Sequence, residues 1–391
     1  MIYFDNAATS FPKPKEVSAA IIDYMNNVGA SPGRSGHRLS IEAGRILYQC
    51  RENLAELFHV SDPLRIIFTS NATESINLTL RGFLRSGDQV ITSSMEHNSV
   101  MRPLRELEKN GVQIKVIPCS VDGSLNPEDI EKAINKNTAL IVLNHASNVT
   151  GTLLPIRKAG QIARKHNILF LVDAAQTAGA YPLDMEKDNI DLLAFTGHKS
   201  LFGPTGTGGL VIGENVEIHR ILPLKTGGTG SRSESENHPD FLPDRYESGT
   251  PNIVGIAGLN AGVSYILKKG TKAIHQYEHN LCQILISGLK EITGVTVYGK
   301  EETGERASVV SFTIAGQSPS DIGLKLDENY AMMCRVGLHC APAAHKTIGT
   351  FPVGTVRFSI GLFNTVEDIE KAIAAIRKMV RDHKNRKVKN D

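Results

Sequence analysis

A lysine follows an apolar run in Phe195-Thr-Gly-His-Lys-Ser-Leu-Phe-Gly-Pro204, and Asp173, 26 residues before it, closes another apolar run in Leu171-Val-Asp-Ala-Ala-Gln176. A carboxylate at the end of a buried strand is costly unless a cation compensates it. A cationic partner is therefore expected beside Asp173. A pyridinium nitrogen would serve, and the Lys199 amine could form a Schiff base; together they would make a pyridoxal phosphate site. A phosphate has a candidate seat in Thr69-Ser-Asn-Ala-Thr-Glu-Ser75, where a β-rich run passes through a small polar turn into a helical pattern. Free amides and the helix dipole converge at such a point. In isolation the segment reads equally as a plain N-cap by Thr69, Ser70 or Asn71. Asp173 and Lys199 on later strands favour the phosphate.

These groups need a sheet to hold them. Strands are expected at 65–69, 89–92, 113–117, 138–144, 168–172, 191–195 and 209–212, with helical patterns at 73–84, 99–110, 126–135 and 155–166. Several strand candidates are continuous apolar runs, as in sheets covered on both faces. The alternation predicts an open, mostly parallel α/β sheet with its site at the carboxyl ends of the strands. After Gly213 the texture changes. Residues 226–241 hold almost no aliphatics and read as a long surface loop, and helices are expected at 252–268 and 272–291. The remainder alternates strand and helix, 308–314, 320–329, 356–360 and 366–380, which predicts a second, smaller α/β domain. The basic tail Arg381–Lys389 reads as the solvated end of a helix.

Composition excludes several classes. The 391 residues are 41% hydrophobic, and 43 Lys+Arg stand against 41 Asp+Glu, for a net charge of +2. Disorder is ruled out, and so is the clustered basic surplus that nucleic-acid binding requires. The five cysteines, Cys50, Cys119, Cys282, Cys334 and Cys340, contain no CxxC pair and no zinc-type spacing, so no metal is expected. The apolar runs are too short to span a bilayer, and no secretory leader is read at the start; a cytoplasmic protein is expected.

The chain resembles the class V aminotransferase family of fold-type I pyridoxal phosphate enzymes, and within it the cysteine desulfurase and selenocysteine lyase branch. The segments that carry the likeness run in order: Tyr3-Phe-Asp-Asn-Ala-Ala-Thr9, the Ser-Asn-Ala-Thr-Glu turn, Met95-Glu-His97, His145-Ala-Ser-Asn148, Val172-Asp-Ala-Ala-Gln176, Thr196-Gly-His-Lys199, Glu247-Ser-Gly-Thr-Pro-Asn252, Arg335-Val-Gly-Leu-His-Cys340 and Val356-Arg-Phe-Ser. The resemblance implies a fold-type I α/β architecture: a large cofactor domain, 15–255, with a mostly parallel seven-stranded sheet, and a small domain of 1–14 and 256–391. It implies that Lys199 holds the cofactor covalently, that Asp173 pairs with its ring nitrogen and that Gln176 bonds its phenolic oxygen. His97 would stack on the ring and take part in acid–base chemistry. Ala72, Thr73, Thr196 and His198 would hold the phosphate, and Thr250 would reach the phosphate of the other subunit in a homodimer. Asn148, close to the ring, would face the substrate together with Arg335 and Arg357, guanidinium to carboxylate being a bidentate pair.

Cys340 decides the reaction that the likeness implies: its thiolate would take sulfur from L-cysteine, leaving L-alanine and a persulfide destined for an acceptor protein. Arg335, His339, His345 and Lys346 lie near enough in sequence to supply the electropositive setting a thiolate needs; the other four cysteines read as structural. Cys340 and Arg357 are 17 positions apart, short as in the second, Suf-type group, and Leu338 stands where that group's motif has a further histidine. A selenocysteine lyase acting on L-selenocysteine fits the same residues. Other family activities and a silent sulfur-transfer docking protein remain open.

Overall fold

The computed structural model describes residues 1–33, 36–300 and 306–390. A short strand, β1 (Ile2–Tyr3), precedes helices α1 (Lys15–Asp23) and α2 (Arg38–Phe58). Strand–helix alternation follows: β2 (Ile66–Thr69), α3 (Ala72–Phe83), β3 (Gln89–Ser93), α4 (Asn98–Glu108), β4 (Gln113–Ile117), α5 (Pro127–Ala133), β5 (Thr138–Asn144), α6 (Ile156–Lys165), β6 (Leu169–Asp173), β7 (Leu192–Thr196) and β8 (Gly208–Ile212). These strands form one seven-stranded sheet in the order β2-β8-β7-β6-β5-β3-β4. β8 runs antiparallel to both its neighbours, and the other pairings are parallel.

The apolar runs are continuous because both faces of this sheet are covered. Phe170 and Val172 of β6 enter a core shared with Leu54 and Phe58 of α2, whereas Leu171 between them enters one shared with Ile76 and Leu80 of α3. Successive side chains of a strand point to opposite faces, so a strand buried on both cannot alternate polar with apolar. The close seating of the turn before α3 needs a glycine: a Cβ on Gly208 would lie 2.6 Å from the Asn71 Cα.

Between β8 and α7 (Ile253–Lys269) no strand or α-helix occurs, and most of residues 226–241 are exposed as expected. The loop is tied by Ser231 to Asp244, and by the Arg232 guanidinium 4.9 Å from the Phe241 ring centroid. The second unit comprises α8 (Thr271–Lys290), β9 (Val295–Tyr298), β10 (Val309–Ile314), α9 (Pro319–Tyr330), β11 (Met332–Met333), β12 (Arg335–Gly337), α10 (Pro342–Thr347), β13 (Thr355–Ser359) and α11 (Val366–Asn390). Its antiparallel sheet has the order β12-β13-β10-β9. α11 carries the backbone of the basic tail; the side chains beyond residue 385 lie outside the described residues.

β1 pairs with β11, and the Phe4 ring stacks 4.8 Å from Phe358, so the N-terminal residues pack in the second core. Ile256, Leu259 and Val263 of α7 belong instead to the first core. The expected division at 255/256 therefore cuts a helix off from the core that buries its apolar face, and we propose a boundary at Gly270, the C-cap of α7. Among the described residues no helix is long and apolar enough to cross a membrane.

Candidate active site

The carboxyl ends of β5, β6 and β7 open into a cleft of about 310 Å³ that also receives the start of α3, the N-cap of α4 and two arginines from the second unit. Asp173, the last residue of β6, is buried. Its Oδ1 accepts the Ala175 amide (2.9 Å) and its Oδ2 a longer bond from Ser99 Oγ (3.4 Å). Burial raises its carboxyl above the usual range, and the nearby Lys199 amine opposes that shift. Burial also brings Lys199 down to about 8, against the pull of Asp173.

His97 caps α4. The Ser99 amide donates to its Nδ1 (3.0 Å), which leaves the ring proton on Nε2. Burial and the neighbouring Lys199 lower the imidazole to about 4, so the ring is neutral near pH 7. The Ser99 amide on Nδ1 and the Ser99 hydroxyl on Asp173 together link this histidine to the carboxylate, the hydroxyl oxygen lying 2.9 Å from the same Nδ1. Behind them Glu96 is fully buried; it accepts Ser93 Oγ (2.6 Å) and the Asn144 amide (3.1 Å), and burial pushes it up to about 8. Sequence reasoning gave Ser99 and Glu96 no role, although Glu96 stands in the Met95-Glu-His97 segment and Ser99 lies two residues beyond it.

At one end of the cleft, α3 presents its first amides, those of Ala72 and Thr73, which have no intrahelical acceptor. Thr196 and His198 also line this cleft, and the Thr196 hydroxyl and His198 Nδ1 are buried without a partner. His198 is lowered to about 4 by burial and by Lys199. Gln176 lines the floor and donates to the Ala7 carbonyl (3.3 Å). Thr250 is not in this cleft; it is exposed, in a separate depression bordered by Ser70 and Lys225.

The other end is cationic. Arg335 and Arg357 are register partners on the antiparallel strands β12 and β13, and both line the cleft. Like charges directly opposite one another destabilise a sheet, so the pair calls for an anion. Asp5 supplies one, 2.7 Å from the Arg357 Nη2, while Nη1 donates to the Asn148 carbonyl (3.1 Å) and Nε is left buried without a partner. Asn148 Oδ1 is likewise unpartnered.

Cys340 stands at the rim, on a groove that shares Thr73 and His97 with the cleft. Of the five cysteines it is the exposed one. Burial raises Cys119 and Cys282 to about 11 and Cys334 to about 12, and lifts Cys50 further still. Arg335 Nη2 lies 3.3 Å from its Sγ. The other expected contributors do not charge the site. His339 and His345 are buried, lowered to about 2 and about 4, and bonded to Thr355 and Thr350. Lys346 sits over the Phe351 ring. The backbone at His339 and Cys340 has φ of 48° and 58°, a left-handed conformation that costs a residue with a Cβ roughly 1–2 kcal/mol.

A sequence profile of the aminotransferase class-V family matches residues 2–372. A protein of Halalkalibacterium halodurans named a probable cysteine desulfurase is 33% identical over 388 residues, 97% of this chain and 93% of its own. Among solved structures, the apo cysteine desulfurase of Thermococcus onnurineus superposes with a TM-score of 0.90 at 35% identity, covering 97% of this chain and 95% of that one. The Escherichia coli cysteine desulfurase CsdA gives 0.87 at 27% identity, covering 97% and 94%.

Proposed function

The chain belongs to the class V aminotransferase family, and on that premise we propose that it is a pyridoxal phosphate-dependent cysteine desulfurase that passes sulfur through Cys340. The cleft suits the cofactor at both its poles, with unpartnered polar groups at the phosphate end and a buried carboxylate beside a side-chain amide at the ring end. The Ala72 and Thr73 amides, Thr196 Oγ1 and His198 would hold the phosphate, Asp173 the protonated ring nitrogen and Gln176 the phenolic oxygen. When bound, the cofactor supplies an electron sink for the pair released at the substrate Cα.

The remaining work falls to the protein. Lys199, held near 8, is an amine that can carry the cofactor and move a proton at Cα close to neutral pH. The neutral His97 ring can lie against the cofactor face without repelling its cationic ring. Arg357 and Arg335 would grip the α-carboxylate of L-cysteine, with Asn148 beside them. The Cys340 thiolate then attacks the substrate sulfur: the S–S bond forms as the substrate Cβ–S bond breaks, and protonation of the carbon yields L-alanine. Sulfur remains on the enzyme as a persulfide. The observation that carries this reading is the position of Cys340, exposed at the rim of the Lys199–Asp173 cleft with a guanidinium 3.3 Å from its sulfur.

The short turn that carries Cys340 limits its reach, which supports delivery to an acceptor protein that comes to the rim. We place the enzyme in the cytoplasm as a homodimer, Thr250 completing the partner's phosphate site. Its exposure away from its own cleft is consistent with that role. The test is alanine formation from L-cysteine and from L-selenocysteine, wild type beside Cys340→Ala, with reductant present. Alanine from cysteine only with Cys340 intact supports the proposal. Alanine from selenocysteine in both proteins, with little from cysteine, would make it a selenocysteine lyase and overturn the proposal.

A further inference from the structure

The first turn of α4 reaches three parts of the site with three consecutive residues. His97 lines the cleft and Ser99 reaches Asp173. Asn98, between them, gives its backbone amide to the Cys340 carbonyl at 2.9 Å, joining the large sheet's helix to the second unit. The chain at Cys340 needs holding. Two successive residues with a Cβ at positive φ persist only where the surroundings over-determine them. Besides the side-chain contacts of His339 with Thr355 and of Cys340 with Arg335, three bonds to backbone carbonyls do so here: Ala341 amide to Leu338 carbonyl (2.9 Å), Asn148 Nδ2 to His339 carbonyl (2.7 Å), and Asn98 amide to Cys340 carbonyl. The first lies within the turn itself. The other two are anchored in the large unit: the Asn148 bond holds the peptide that enters Cys340, and the Asn98 bond holds the peptide that leaves it.

We infer that Asn98 is a positioning residue acting through its backbone amide, which holds the Cys340 turn so that the thiol stays beside Arg335 and over the mouth of the cleft. The inference rests on Cys340 being the sulfur-accepting thiol of the proposed reaction. It demands nothing of the Asn98 side chain, so residue type gives no signal of the role in the sequence.

Position 98 permits a test aimed at the amide. It is the first helical residue of α4, where proline is tolerated because that amide has no intrahelical acceptor. His97, at ψ 160°, already has the extended conformation that a following proline requires. Asn98→Pro deletes the donor and places the ring Cδ against the Cys340 carbonyl; Asn98→Ala keeps the amide and serves as its reference. Two readouts are compared in the holoenzyme: hydrogen–deuterium exchange of segment 336–344, and kcat and KM for alanine formation from cysteine.

In Asn98→Pro relative to Asn98→Ala, exchange in 336–344 should accelerate, and kcat should fall about tenfold or more with KM near that of the reference, as misplacement of a reacting group predicts. Equal exchange and equal kcat in the two variants would overturn the inference. Exchange needs no turnover, so a wild type that makes no alanine sinks the desulfurase reading while the hold on the turn is still tested. Should Asn98→Pro fail to fold, exchange of the Asn98 amide itself in the wild type decides: at the first helical position it has no intrahelical acceptor, so slow exchange means that the Cys340 carbonyl holds it, and exchange at the rate of a free amide would overturn the inference.

Discussion

Lys199 should make the cofactor-free protein less stable than a neutral side chain would. Its amine titrates near 10.5 in an unfolded chain and near 8 in the fold, chiefly because the cleft desolvates it. That difference corresponds to roughly 3 kcal/mol, spent on keeping a charged lysine in the cleft at pH 7. Lys199→Met replaces it with an uncharged chain of similar length. Asp173 loses its nearest cation in the exchange, which returns part of the gain, so the variant should be more stable by about 1–3 kcal/mol at pH 7. The sign of the pH dependence follows from proton counting. Between about 8 and 10.5 the unfolded wild type binds a proton that the folded protein has released, so wild-type stability rises with pH over that window. The advantage of the variant is therefore complete below about 8 and is largely gone by the upper end. Urea unfolding of both cofactor-free proteins at pH 7 and near pH 10 measures it. A variant no more stable than wild type at pH 7, or one whose advantage does not change with pH, would refute the assignment of a desolvated amine to Lys199.

Arg357→Lys should raise KM for cysteine about tenfold or more with a smaller effect on kcat, since a point charge cannot reproduce the fork beside Asp5 and Asn148; steady-state kinetics decide. Glu247→Ala breaks a 2.6 Å ion pair in which Arg51 is almost wholly enclosed, and should cost about 3–5 kcal/mol in urea unfolding; a loss under about 1 kcal/mol would show that the pair is not desolvated. Ser99→Ala removes one of the two donors to Asp173, so the absorbance of the bound cofactor should titrate at a different pH from wild type. An unchanged midpoint would mean that Ser99 does not reach the carboxylate in solution.

The candidate site was legible wherever chemistry sits at the end of an apolar run. Asp173 terminates β6, Lys199 follows three residues after the end of β7, and the 69–75 turn opens α3; these were placed from residue order, whereas the phosphate role of Ala72, Thr73 and Thr196 came only with the resemblance. The same local logic located the strands of the large sheet to within a residue or so. It left α1 and α2 unassigned; both pack against α7, about 200 residues further along the chain. It also expected four groups to charge Cys340 where one does. Proximity in sequence says nothing about which way a ring points, and His339 and His345 turn inward toward threonines.

What the sequence determined by itself was the α/β class, the carboxyl-end location of the candidate site and the presence there of a buried carboxylate, an amine and a small polar turn at a helix start. Those follow from periodicity and from the cost of burying charge, both of which are local. Only the tertiary structure decided that Arg335 and Arg357 face each other, that Ser99 joins His97 to Asp173, and that two residues at positive φ set Cys340 at the rim under the grip of Asn98. Strand register and a bond between residues 242 positions apart depend on how two separately packed cores meet, and no window of sequence contains both sides of that contact.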